Sequence, residues 1–371
     1  MQVPYFAFRD WPAGITQQVE QAVTGVLRGQ QYILGPEVEA FETNFAKFLG
    51  AGYAVGVGNG FDALVLAMKA VGIVPGDEVI LPANTFIATA NAIVQLGATP
   101  VFAEPDAKTY NLKASTVEKL ITSKTKAIVV VHLYGQACEM DEILQLCERY
   151  SLKLIEDAAQ AHGATFLNQF AGSFGHAAAF SFYPTKNLGA IGDGGAVVTN
   201  DEAVAAFVTR YRNYGQTAKY QNDIVGINSR LDTLQAAVLD VKLRYLQQQN
   251  EERQRLAQVY LQELNQTGDL LLPISADHCS HVYHIFNIRT RLRDKLKEFL
   301  QQQGIQTAIH YPVPIHLQPA YHYLNYKSGD LPLSEELVNT SLSLPLFPGL
   351  TETEQDHIIS CVKKFFAQTS D

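Results

Sequence analysis

The sequence predicts an α/β fold, with a large, mostly parallel sheet covered on both faces and a smaller C-terminal α/β unit. Three observations carry that expectation. Short apolar strands alternate with helical stretches from residue 53 to residue 157, a pattern that buries strands on both sides. The 371 residues are enough for one large core and an attached smaller one. Near Ser229 the texture changes, and a long, Gln-rich helical pattern replaces the alternation.

In chain order, PEVEAFETNFAKFL (36–49) places Val38, Phe41, Phe45 and Phe48 on one helical face. A strand over 54–57 runs through a glycine turn into a helix over 58–72. Then come strand 78–82, helix 86–97, strand 99–103, a helix near 115–122, strand 127–133, helix 140–150 and strand 152–157. An apolar strand ends at Ser181, Phe182 and Tyr183, and a Gly-rich strand start follows at Gly194 and Gly195. From Arg230 to Leu264 the pattern reads as one long helix with a polar face. A strand over 283–289, a helix over 293–304 and a final helix near 353–367 complete a smaller unit. The expected division is a large domain over 1–229, then a connecting helix and small domain over 230–371. No internal repeat is present, and the Gln-rich stretch is too periodic for a low-complexity tract.

Composition narrows the partners. Apolar residues are 47% and charged residues 18% of the chain, a globular balance. A net charge of −9 argues against nucleic acid or an anionic membrane as partner. Any phosphate must therefore be met locally, by backbone amides and a few placed cations. MQVPYFAFRDW lacks the pattern of a signal peptide, and no apolar run approaches the length of a membrane span. Cys138, Cys147, Cys279 and Cys361 form no CxxC pair, which reads as free thiols in a reducing cytoplasm. HCSHVYH brings His278, His281 and His284 close in sequence. It runs into a strand, where positions three apart face opposite ways, so no metal site is expected.

The most informative run is AFSFYPTKNLGAIGDGGAVVTND, residues 179–201. It sets Lys186 just after an apolar strand, and Asp157 ends another such strand 29 positions earlier. A lysine and an aspartate leaving two buried strands are what pyridoxal phosphate chemistry requires. The lysine holds the cofactor aldehyde as a Schiff base; the carboxylate keeps the pyridine nitrogen protonated, so that the ring acts as an electron sink. In VGVGNGFDAL a glycine turn opens a helix, where free N–H groups at Gly60 and Phe61 would favour an anion.

These runs, together with EDAAQAHGA, PANTFIATANA and GINSRLDTLQAA, resemble the DegT/DnrJ/EryC1/StrS family of nucleotide-sugar aminotransferases from about Tyr32 to the C-terminal region. The resemblance implies fold type I and pyridoxal 5′-phosphate as cofactor. It assigns Lys186 as Schiff-base lysine and acid/base, Asp157 to the ring nitrogen, Phe86 to the ring face, and Gln160 to the neighbourhood of the ring hydroxyl. Ser181 becomes the side-chain phosphate ligand, and gains weight because Phe61 stands where many members carry a phosphate-binding Thr. Asn228 is expected to reach the cofactor phosphate of a neighbouring subunit, which implies a homodimer with shared sites. Arg230 is either a cation for the sugar-nucleotide diphosphate or part of a structural salt bridge. His162 is either a buried imidazole or a support for the site.

AIHYPVPIHLQPAY resembles members that aminate C3 of a dTDP-linked keto-sugar, through His310 and Tyr311 together with Tyr183. The expected reaction moves an amino group from L-glutamate to the C3 ketone of a dTDP-3-keto-6-deoxyhexose. The rivals are C4 amination of a nucleotide-linked 4-keto-6-deoxysugar, dehydration on the same scaffold, a cysteine desulfurase, and a regulatory protein without turnover. Lys186 counts against the dehydratases, which carry histidine in its place, and no cysteine matches a desulfurase motif. The retained set Asp157, Gln160, Ser181 and Lys186 counts against loss of turnover.

Overall fold

The structure is a computed structural model and describes residues 1–9 and 14–369. Helices α1 (Ile15–Gly29) and α2 (Pro36–Leu49) precede β1 (Tyr53–Val57), α3 (Gly60–Ala70), β2 (Glu78–Pro82), α4 (Ile87–Gln95), β3 (Thr99–Ala103) and β4 (Thr125–Val131). Next come α5 (Met140–Tyr150), β5 (Lys153–Asp157), β6 (Ala177–Ser181), β7 (Gly195–Thr199) and α6 (Glu202–Tyr211). Seven strands form one sheet in the order β1-β7-β6-β5-β4-β2-β3. Only β7 runs against the rest, pairing antiparallel with β6 and β1. The alternation of strands and helices reports this architecture because helical crossovers join parallel neighbours.

Both faces of the sheet are covered, and adjacent residues of one strand serve different cores. On β6, Ala177 and Ala179 join the apolar cluster that includes residues of α3 and α4, while Ala178 and Phe180 face the cluster built with α2. In that second cluster Phe41, Phe45, Phe180 and Phe182 pack edge to face, with ring centroids 5.0 to 5.4 Å apart across the two elements. Such burial is worth roughly 25 cal/mol per Å² of apolar surface and fixes the strand ends from which the site is built.

The predicted continuous helix over 230–264 is two helices, α7 (Thr233–Leu243) and α8 (Leu246–Glu263). No Gly or Pro marks the break. Neighbours decide it: α7 lies against α1 and α2, whereas α8 places Leu256, Ala257 and Tyr260 in a separate C-terminal cluster. A periodic pattern does not register a bend that keeps its apolar phase. That cluster also takes residues of β8 (Phe286–Arg289), α9 (Arg293–Gln302), α10-flanked β9 (Ser341–Leu344) and α11 (Glu352–Thr369), where α10 is Pro332–Thr340. Val3 packs into it as well. The predicted helix near 115–122 is shorter, a turn over Ala114–Val117 continued by a 3₁₀ turn. Helices α1, α6 and α10 have no counterpart in the sequence reading. The four cysteines are free thiols. No helix among the described residues is long and apolar enough to cross a membrane.

Candidate functional site

The carboxyl ends of β1, β4, β5 and β6 lie on one edge of the sheet, where ligands of open α/β sheets bind. Asp157 ends β5 there. Its Oδ2 accepts the Thr89 hydroxyl at 2.8 Å and its Oδ1 accepts the Ala159 N–H at 3.2 Å. Strand alternation turns the preceding Glu156 to the opposite face. There its carboxylate accepts N–H groups of Gly172, Phe174 and Gly175 at 2.7 to 2.8 Å and meets His132 Nε2 at 2.9 Å. His132 Nδ1 accepts the Cys138 N–H, so the ring proton sits on Nε2, toward Glu156. The two adjacent carboxylates thus have separate partners, and Asp157 is the one on which the Lys186 charge acts.

Lys186 lies in the loop after β6, its N–H donating to the Tyr183 carbonyl at 2.8 Å. Asn187 clamps this loop: its Nδ2 donates to Asn250 Oδ1 at 2.9 Å and to the Val282 carbonyl at 3.1 Å, and its Oδ1 meets His284 Nδ1 at 3.1 Å. Burial pulls the Lys186 amine down to about 8, against the opposing charge of Asp157. Burial raises the Asp157 carboxyl, and the Thr89 hydroxyl, the Ala159 N–H and the Lys186 charge pull it back.

The other residues converge from distant elements. Phe86 begins α4 with its ring half exposed, 5.4 Å between centroids from Tyr311. Gln160 donates through Nε2 to Tyr311 Oη at 3.0 Å and accepts the Tyr134 N–H at 2.7 Å. His310 meets Ser343 Oγ through Nδ1 at 2.8 Å, and its carbonyl accepts the Tyr134 hydroxyl. Burial and the nearby Lys186 charge lower the His310 imidazole to about 4, so it is neutral near pH 7. Tyr183 is exposed, and its N–H donates to Ser181 Oγ at 3.3 Å.

The start of α3 faces the end of β6. Asn59 caps the helix by accepting the Asp62 N–H at 2.8 Å, which leaves the Gly60 and Phe61 N–H groups without helical partners. A Cβ on Gly60 would stand 2.5 Å from Ser181 Cβ, so only glycine lets the helix end approach that serine. Ser229 Oγ accepts the Gly58 N–H at 3.0 Å and donates to Asp62 at 2.6 Å. Asn228 beside it is exposed, paired through its backbone with Asn213, and its side chain makes no hydrogen bond among the described residues.

Arg230 donates to Asn213 Oδ1 at 2.8 Å and lies 5.7 Å over the Tyr214 ring. It has no carboxylate partner among the described residues, so the structural salt bridge is not formed there. His162 is fully buried between Phe180 and Phe182, and burial followed by the Lys186 charge holds it neutral, at about 3. The three clustered histidines diverge: His278 is exposed, His281 stacks on Tyr283 at 4.0 Å, and His284 faces Asn187. Among the described residues no group of His, Cys, Asp and Glu is placed to hold a metal ion. Sequence reasoning passed over Thr89, Tyr134, Asn187 and Ser343. Thr89 alone had a signal, lying one helical turn past Phe86.

A flat, anionic, carbonyl-bearing ring fits these residues. The Gly60 approach and two unpaired N–H groups make an anion cradle, Phe86 offers a half-exposed aromatic face, and the charge of buried Asp157 acts on a lysine whose amine burial has depressed. Fold and site together define a pyridoxal phosphate-dependent aminotransferase.

Comparison with known proteins makes the assignment particular. The model of the DegT/DnrJ/EryC1/StrS aminotransferase family matches residues 14–363. The chain is 46% identical over 363 residues, 98% of it and 99% of the relative, to the dTDP-3-amino-3,6-dideoxy-alpha-D-galactopyranose transaminase of Aneurinibacillus thermoaerophilus. It is 42% identical over 368 residues, 99% of each chain, to a pleiotropic regulatory protein of Geobacillus stearothermophilus. The crystal structure of S. venezuelae DesV in complex with a ketimine intermediate superposes with a TM-score of 0.93 at 44% identity, covering 95% of each chain. This chain belongs to the DegT/DnrJ/EryC1/StrS aminotransferase family.

Proposed function

We propose that the protein moves an amino group from L-glutamate to the C3 ketone of a dTDP-3-keto-6-deoxyhexose, giving the dTDP-3-amino-3,6-dideoxyhexose. The observation that carries this reading is the placement of neutral His310 and of Tyr311 against Gln160 and Lys186, with exposed Tyr183 following Ser181. The relative named as a dTDP-3-amino sugar transaminase supports it. The relative named as a regulatory protein does not outweigh it, because Lys186 and Asp157 are both present and close enough for each charge to act on the other.

Pyridoxal phosphate, when bound, supplies an aldehyde that carries the amino group and a ring that spreads the electron pair. Lys186 Nζ would hold the group and, once free as an amine, would take the proton from the reacting carbon of glutamate and, in the reverse sense, deliver one to the reacting carbon of the sugar. Asp157 keeps the ring nitrogen protonated. The N–H groups of Gly60 and Phe61 with Ser181 Oγ hold the phosphate, and Asn228 completes the phosphate site of a partner subunit. Phe86 covers the ring face and excludes water. Gln160 orients the ring hydroxyl together with Tyr311. Tyr183, His310 and Tyr311 meet sugar hydroxyls, and Arg230 meets the diphosphate. A cofactor unit to about residue 229 and a smaller unit from residue 230 belong to the same proposal, with limited proteolysis as its check.

A ketone moved from C3 to C4 shifts the reacting atom by one bond, ~1.5 Å, and a misplacement of that order costs roughly a hundredfold in rate. The expected result is a preference of at least about a hundredfold in kcat/KM for the 3-keto over the 4-keto sugar, with products resolved by NMR. His310→Ala should slow the sugar half-reaction more than the glutamate half-reaction. Comparable turnover of both ketones would reject the C3 assignment.

A further inference from the structure

We infer that Thr89 is a positioning residue that keeps Asp157 ionised in its buried site. Asp157 is 6% exposed and has no cation at salt-bridge distance among the described residues. A carboxylate so placed drifts toward its neutral form, since burial penalises the charge. The direct side-chain donor to it is the Thr89 hydroxyl, which is fully buried and 2.8 Å from Oδ2. Thr85 Oγ1 lies 3.3 Å from Thr89 Oγ1 and is buried too, so the Thr89 proton is directed to Asp157 while its oxygen can take the Thr85 proton.

The groups facing Asp157 are Thr89 from α4, the Ala159 N–H from the loop after β5, Lys186 from the loop after β6, His132 from the end of β4, and Tyr311. His132 spends its ring proton on Glu156 and Tyr311 is a neutral phenol, so neither replaces the threonine donor. Phe86 and Thr89 stand one helical turn apart. One helix start therefore carries both the ring-stacking aromatic and the hydroxyl that tunes the ring-nitrogen partner.

This inference rests on Asp157 serving the ring nitrogen, and the experiment separates the two. Apo-enzyme is titrated with pyridoxamine phosphate from pH 5 to pH 9 for Thr89→Val, Thr89→Ser, Thr89→Ala and Asp157→Asn, with folding followed by thermal unfolding. Losing a hydrogen bond to a charged group should raise the Asp157 pKa further, because burial is then opposed by one donor fewer. The acid limb of cofactor affinity should then move to higher pH in Thr89→Val and stay in place in Thr89→Ser. Both half-reactions should slow together by about tenfold at pH 7 in kcat, with KM for the sugar unchanged. An unmoved acid limb in the folded Val or Ala variant overturns the proposal, as does a Ser variant that behaves like Val. If Asp157→Asn itself leaves affinity and its pH profile unchanged, the reading of Asp157 fails first.

Discussion

At the scale of single residues, Lys186 sets the pH behaviour. Its amine sits at about 8 because burial penalises the charged form. A neutral amine is the nucleophile, so capture of pyridoxal phosphate by apo-enzyme should rise as pH climbs through about 8 and then level off. Stopped-flow absorbance measures this, and a profile still rising toward the lysine value of 10.5 would show an unburied amine. Lys186→Ala should abolish both half-reactions and the visible band of the bound cofactor. Asp157→Asn should keep cofactor attachment and slow proton transfer, because the ring nitrogen loses its charged partner.

At the scale of elements, the close approach of α3 to β6 is the sensitive joint. The Asn59 cap, the Gly60 gap and the Ser181 hydroxyl make one cradle from two elements that meet only in the folded sheet. Gly60→Ala forces a shift in one of them and should weaken pyridoxamine phosphate binding at least about tenfold, as read by fluorescence titration. Unchanged affinity in the alanine variant would move the phosphate elsewhere. Asn59→Ala, by contrast, should cost roughly 1 kcal/mol of stability through the lost cap.

At the scale of the whole molecule, assembly and acid stability are open to measurement. Tyr220 and Val225 are among the most exposed apolar residues, and Asn228 next to them has an unengaged side chain, as expected if a second copy covers this region. Mixing Lys186→Ala with Asn228→Ala chains should give hybrids with one intact site and activity above either parent. Activity that never rises, despite subunit exchange shown by mass spectrometry, would exclude shared sites.

His162 at about 3 and His310 at about 4 bind protons in the unfolded chain before the folded one. Apo-enzyme should therefore lose stability as pH falls from about 6.5 toward 4, by up to about 1.4 kcal/mol per pH unit for each histidine. His162→Leu should flatten that slope in urea unfolding.

The sheet was legible in the residues alone, and so were the main members of the candidate site. Alternating apolar strands and helices leave few arrangements that bury both faces, and Lys186 and Asp157 stand where two such strands end. The tertiary structure decided the rest. It broke the long helix at Arg244 and Tyr245, because α7 packs with α2 while the later turns of α8 pack into the C-terminal cluster. It brought Thr89 to Asp157 across 68 positions and Tyr134 to His310 across 176. Local periodicity reports which face of an element is buried, whereas a hydrogen bond between distant residues depends on how whole elements stack. Its place one helical turn past Phe86 sets Thr89 on the right face of α4, but nothing local in the sequence names the carboxylate it meets.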